Sequence, residues 1–213
     1  SRTSETEIGQ SFSNGTNQHS QELGIPTPVK ARTIAPTGTI AKLPGVTEGI
    51  HPIYARHFVQ RIRYSNDDPL LQEQINKGRF VEDCIYTANT SVVSVPTRNT
   101  ILDKFDESMI EQVDEISIDD LFRVQAWFQK HWADNAVSFT ANIDPELPYN
   151  ELEQALTRWL PHLKGTTVFP DLSRPQSPYE RIDSQTFEEL TTTGQVETGQ
   201  DFDECSTGGC PVR

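Results

Sequence analysis

Arg32-Thr33-Ile34-Ala35-Pro36-Thr37-Gly38-Thr39-Ile40-Ala41-Lys42-Leu43-Pro44-Gly45 is a short β-rich run that stops at a proline and reopens with hydroxyl residues at the front of a helix. Residues 29–35 mix β-branched and polar side chains and predict a strand, which Pro36 ends. Thr37, Gly38 and Thr39 then offer backbone N–H groups and two hydroxyls at a helix start. A helix N-terminus carries unpaired donors and the positive end of the macrodipole, so it holds an anion such as phosphate without a lysine. Thr37 or Thr39 could equally be a plain helix cap. The segment alone leaves both readings open.

At the other end stands Asp203-Glu204-Cys205-Ser206-Thr207-Gly208-Gly209-Cys210-Pro211-Val212-Arg213. Two cysteines separated by four residues, with a Gly-Gly between them and no large apolar neighbour, can close a small disulfide loop and exchange with another disulfide. Zinc is a second reading, but one pair supplies two ligands and no histidine follows Leu163. An idle surface pair is a third.

The 213 residues could bury one core, yet 34% hydrophobic residues and 14 prolines are low for an α/β domain that folds alone. A net charge of −13 repels nucleic-acid backbones and anionic membranes, which excludes both as main partners. No segment reaches the apolar length of a membrane span and no signal peptide opens the chain. Cysteine usage suits a reducing cytoplasm. Residues 1–28 form a polar leading segment without periodicity, which reads as the cut end of a larger chain, whether by protein splicing or as a fragment.

The pattern predicts a strand over 29–35, a helix opening at 39–43, helical structure over 53–62 and a helix over 69–77 that Gly78 ends. A valine-rich strand comes next over 91–95. Ser117 caps a helix through His131 with Leu121, Val124, Phe128 and Trp132 inward. A strand over 136–143 alternates Val137, Phe139 and Ala141 against Ser138, Thr140 and Asn142. Then come a helix over 149–163, a strand over 166–169, a loop over 170–178, a helix over 183–190 and a flexible acidic tail. Strands that follow helices imply crossovers, hence an α/β class.

Ala35 to Lys42, continuing through Pro44-Gly45-Val46-Thr47-Glu48-Gly49-Ile50-His51-Pro52, resembles the substrate-phosphate loop and following helix of the adenosylcobalamin-dependent (class II) ribonucleotide reductases. Glu22-Leu23-Gly24-Ile25-Pro26 and Arg61-Ile62-Arg63-Tyr64-Ser65 fit the same pattern, which runs from about Gln21 onward and is closest to the monomeric, triphosphate-using branch. The resemblance implies that residues 29–178 are the C-terminal part of a ten-stranded α/β barrel. It implies that Ala35, Pro36, Thr37, Gly38, Thr39 and Ile40 hold substrate phosphates. It implies that 179–213 is a tail whose Cys205 and Cys210 re-reduce an active-site disulfide and are themselves reduced by thioredoxin or a similar dithiol protein.

The implied reaction replaces the ribose 2′-hydroxyl of a ribonucleoside triphosphate with hydrogen, through a thiyl radical started by adenosylcobalamin. The radical cysteines would lie in the upstream part of the same enzyme, so this portion is expected to be inactive alone and to bind no metal itself. Another reductase class would need an adjacent tyrosine pair or a glycyl-radical site, and the tyrosines here are isolated. A non-enzymatic thiol-tail binding module is the remaining alternative. His51, His57, His131 and His162 show no ligand spacing, Cys84 reads as a part-buried thiol, and Trp127, Trp132 and Trp159 suit core packing. Lys42, Arg61 and Arg63 could reach a triphosphate or pair with the many acids.

Overall fold

The computed structural model describes residues 2–37, 40–42, 44–171, 174–192 and 197–198. Its regular elements are α1 (Arg2–Leu23), β1 (His57–Ser65), α2 (Pro69–Asn76), β2 (Phe80–Asp83), β3 (Thr90–Arg98), α3 (Ile118–His131), β4 (Thr140–Ile143), α4 (Tyr149–Trp159), β5 (Thr167–Pro170), β6 (Tyr179–Ile182), α5 (Ser184–Thr192) and β7 (Glu197–Thr198). The class is mixed α/β. Two compact units divide the chain, one of residues 1–36, 49–51 and 116–169, the other of 37–48, 52–115 and 170–213.

The second unit is built on β1 and β3, antiparallel from His57 opposite Arg98 to Ser65 opposite Thr90. Sheet order is β2-β3-β1-β6, with β7 parallel to the end of β3. Phe58, Gln60, Ile62 and Tyr64 stand opposite Thr97, Val95, Val93 and Ser91, and all are buried. Leu71 of α2 covers Ile62, Tyr64, Val93 and Val95. Each large apolar side chain so placed contributes on the order of 1.5–3 kcal/mol. Helix α2 forms where expected: Asp68 accepts from the Leu70 N–H at 2.9 Å, Pro69 opens the first turn, and Gly78 takes φ +76° just past the end.

The helix expected over 53–62 is instead the strand β1. Its period-2 pattern is masked because the inward position Gln60 is polar, while Phe58, Ile62 and Tyr64 share its face. Antiparallel pairing replaces most of the expected parallel crossovers in this sheet: β1 pairs antiparallel with β3 and β6, and β2 with β3, while among the described residues only β7 runs parallel, alongside β3. Among the described residues the strands follow an open path, not a closed ring. Strand β6 places residues 179–182 in the sheet, whereas 179 onward was expected to be tail.

In the first unit, Ser117 accepts from the Asp120 N–H at 3.1 Å and starts α3 as predicted. Its inward face is Ile118, Leu121, Phe122, Gln125, Ala126 and Gln129; Val124 and Trp127 point outward at 38% and 43% exposure, which corrects the expected inner face and the core reading of Trp127. Trp132 meets Phe12 edge-on and Trp159 donates to Asp119, so both are half-buried. Helix α1 was not expected. Its sequence lacks an apolar stripe, and hydroxyls of Ser13, Thr16 and Ser20 bond back to the carbonyl four residues earlier.

Val137, Phe139 and Ala141 are buried, as the alternation over 136–143 predicts, yet the regular strand is only Thr140–Ile143. Side chains take the earlier ladder positions: Gln129 accepts from the Val137 N–H at 3.2 Å and donates to the carbonyls of Ala133 and Asn135. Gln125, fully buried, donates to the Gly165 carbonyl at 2.8 Å. These two glutamines, one turn apart on α3, fasten the helix to the chain beyond it.

Candidate functional site

The expected strand over 29–35 is an extended segment without a regular ladder, and Val29 is 96% exposed. It is held by specific bonds instead. Asp134 Oδ1 accepts from the N–H groups of Ala31 at 3.1 Å and Arg32 at 2.7 Å, and Arg32 Nε approaches Asp134 Oδ2 at 3.7 Å. The Arg32 carbonyl accepts from Asn135, and the Ile34 carbonyl from Ser138, each at 2.9 Å. Partial desolvation pushes the Asp134 carboxyl up, but the two N–H groups and the Arg32 guanidinium outweigh it and hold it below the usual carboxylate range.

Past Pro36 the chain makes an uncommon turn. Thr37 sits at φ +53°, a left-handed conformation that a β-branched residue adopts only under constraint. Its carbonyl accepts from the Ala41 N–H at 2.9 Å. Ile40–Lys42 then forms a 3-10 turn, not the start of a longer helix, so little macrodipole accumulates there. Ile40 is exposed and Ala41 buried. Gly45, at φ +63°, lies so close to Thr100 that a Cβ would come within 2.9 Å of its hydroxyl, and Lys104 donates to the carbonyls of Pro44 and Gly45. Of the expected site residues, Ala35, Pro36, Thr37 and Ile40 are among the described residues; Gly38, Thr39, Cys205 and Cys210 lie outside them.

Arg61 pairs with Glu180 and Arg63 donates to the Gln176 carbonyl while lying over Tyr86. Their positive charge is used within the second unit. Cys84 is half-buried; desolvation raises its thiol, but the Tyr86 N–H, the Arg63 side chain and the Thr87 N–H together bring it below the ordinary range. Four imidazoles have aromatic neighbours: His51 stacks on Phe139, His57 tilts against Phe187, His131 tilts against Trp127 and His162 meets Trp159 edge-on. Burial pushes His57 down. Among the described residues no three His, Cys, Asp or Glu side chains gather as metal ligands.

Sequence reasoning missed a polar cluster in the second unit. The Tyr54 hydroxyl donates to Asp171, Arg181 bridges Asp171 and Asp114 at 3.2 Å each, and Arg56 pairs with Glu115. Burial, then the Asp171 carboxylate, pushes the Tyr54 phenol well above its usual range. These partners are far apart in the chain, so no local spacing signals them.

Residues 30–169, which include the whole Ala35–Ile40 loop, match the family described as "Ribonucleotide reductase, barrel domain". The chain belongs to the ribonucleotide reductase barrel-domain family. A Mycobacterium phage D29 protein, provisionally named an adenosylcobalamin-dependent ribonucleoside-triphosphate reductase, is 45% identical over 211 residues, which cover 92% of this chain and 30% of that protein. The adenosylcobalamin-dependent ribonucleoside-triphosphate reductase of Levilactobacillus brevis is 34% identical over 92% of this chain and 28% of its own length. Superposition on the crystal structure of a B-12 dependent (class II) ribonucleotide reductase gives a TM-score of 0.70 at 28% identity, over all of this chain and 30% of that one. This ribonucleotide reductase chain therefore spans about three tenths of the relatives it matches.

Proposed function

We propose that this chain is the C-terminal part of an adenosylcobalamin-dependent reductase that converts ribonucleoside triphosphates to 2′-deoxyribonucleoside triphosphates. The observation that carries the reading is the match over 92% of the chain to proteins named for that reaction, across the loop whose motif stands out in the sequence. With the upstream part of the same enzyme, the strands of this chain complete the α/β barrel that the family is named for. Adenosylcobalamin, bound by the full-length enzyme, supplies the radical.

Ala35, Pro36, Thr37, Gly38, Thr39 and Ile40 position the substrate phosphates. The left-handed backbone at Thr37 supports this, because constrained backbone conformations of this kind cluster at ligand-binding sites. The short 3-10 turn offers little helix dipole, so the weight of the reading falls on individual donors of the loop. Cys205 and Cys210 pass electrons by thiol–disulfide exchange from thioredoxin or a similar dithiol protein to the active-site disulfide. A reducing cytoplasm is where such a pair is recycled. No helix among the described residues is long and apolar enough to cross a membrane.

The experiment is ribonucleotide reduction by the full-length parent protein, with and without adenosylcobalamin, using thioredoxin as reductant. Activity that requires the cobalamin is expected. A folded protein inactive in both conditions would refute the assignment.

A further inference from the structure

The stretch 138–140 carries two edges of hydrogen-bonding groups, because successive residues of an extended chain point their N–H and C=O to opposite sides. One edge is taken by β5: the Phe139 carbonyl accepts from the Thr167 N–H at 3.2 Å. The other holds Ser138 and Thr140. Ser138 donates its N–H to the Ile34 carbonyl at 2.9 Å, so the segment leading to Ala35 lies along this edge. Pro36 then takes the chain away, and the next donor on the same edge, the Thr140 N–H, is met by an imidazole: it donates to His51 Nε2 at 3.0 Å, while the ring stacks on Phe139 at 4.7 Å and 20°. His51 stands in for the backbone acceptor that the departing chain no longer supplies.

Two residues earlier, Gly49 fixes the same place from the side. It takes φ +59°, and a Cβ on it would lie 2.8 Å from the Ala35 carbonyl oxygen and 3.4 Å from Ile34 Cγ2. Only glycine combines that backbone conformation with that approach. We infer that Gly49 and His51 are positioning residues for substrate phosphate: together they clamp Ile34 and Ala35 against the 138–140 edge and so fix the Ala35–Pro36 end of the phosphate loop. This rests on the reading of residues 35–40 as the phosphate loop. The imidazole must accept at Nε2, which requires its proton on Nδ1. A glutamine can offer its amide oxygen to the Thr140 N–H, and alanine offers nothing.

The test is steady-state reduction of a ribonucleoside triphosphate by the full-length enzyme carrying Gly49→Ala, His51→Ala, His51→Gln or Thr37→Ala, with melting temperature measured for each. Gly49→Ala and His51→Ala are expected to raise KM about tenfold with kcat within about twofold, since a misplacement of an ångström costs up to about a hundredfold at a positioned site. His51→Gln is expected to restore most of the loss. The clamp is overturned if Thr37→Ala raises KM while Gly49→Ala and His51→Ala do not. It is equally overturned if those two lower kcat and melting temperature without moving KM, or if His51→Gln is as impaired as His51→Ala. An unchanged KM in all four variants would instead remove the phosphate-loop reading, and the clamp with it.

Discussion

The Tyr54 hydroxyl donates to Asp171 Oδ1 at 2.9 Å, and the guanidinium that neutralises Asp171, that of Arg181, lies 5.0 Å above the same tyrosine ring. One carboxylate thus ties the segment before β1 to β6. Tyr54→Phe keeps the ring for Arg181 but removes a donor to a charged acceptor, which is worth about 1.5–3 kcal/mol. Amide exchange across β6 in the full-length protein should speed up by about tenfold or more. Unchanged exchange there would show that Tyr54 does not secure β6.

Asp134 governs an acid limb of stability. Its folded pKa is depressed, so its contribution is fully present above the unfolded carboxylate value of about 3.9 and is lost as pH falls through the folded value. Melting temperature of the wild type should drop across that window. Asp134→Asn keeps an oxygen for the Ala31 and Arg32 N–H groups but carries no charge to titrate, so its melting temperature should fall less steeply there. Parallel curves would contradict the assignment.

Phe122 has no exposed surface and sits on the inward face of α3 between Leu121 and Gln125. Phe122→Ala is expected to cost about 3–5 kcal/mol through lost burial and the cavity left behind. Val124→Ala, on the outward face of the same helix, should cost well under about 1 kcal/mol. Thermal unfolding of the paired variants checks both the magnitude and the corrected facing of the helix.

Cys205→Ser should abolish turnover driven by thioredoxin and spare turnover driven by a small dithiol, which reaches the active-site disulfide directly. Equal loss with both reductants would remove the shuttle role. Cys210→Ser should behave in the same way, because exchange needs both thiols.

Where local chemistry decides structure, residue order sufficed. Asp68-Pro69 with Gly78 framed α2, Ser117 started α3, and the Val137, Phe139, Ala141 alternation marked a buried face. Structure decided by distant partners was hidden. Gln60 looks like a helix-surface residue until Val95 stands opposite it, and residues 32–34 look like a strand although Asp134, Asn135 and Ser138 bind them in an irregular pattern. Helix α1 carries too few apolar residues for any periodic signal. The phosphate-loop reading of residues 35–40 comes from their motif. Gly49 and His51 stood in the same motif, but their contacts run to Ala35 and to Thr140, the latter 89 positions away.

Strand β7 sets a tether length. Glu197–Thr198 is bonded alongside Thr97–Arg98, so among the described residues the attachment nearest to the thiols lies at the sheet edge and not at the end of α5. Cys205 follows Thr198 by seven residues. At about 3.3–3.6 Å per residue, its α-carbon can lie no farther than about 25 Å from that edge, whatever path the chain takes. Under the proposed shuttle role, a two-residue strand therefore bounds the sphere within which the sulfur meets a disulfide, and with it the effective concentration of thiol there.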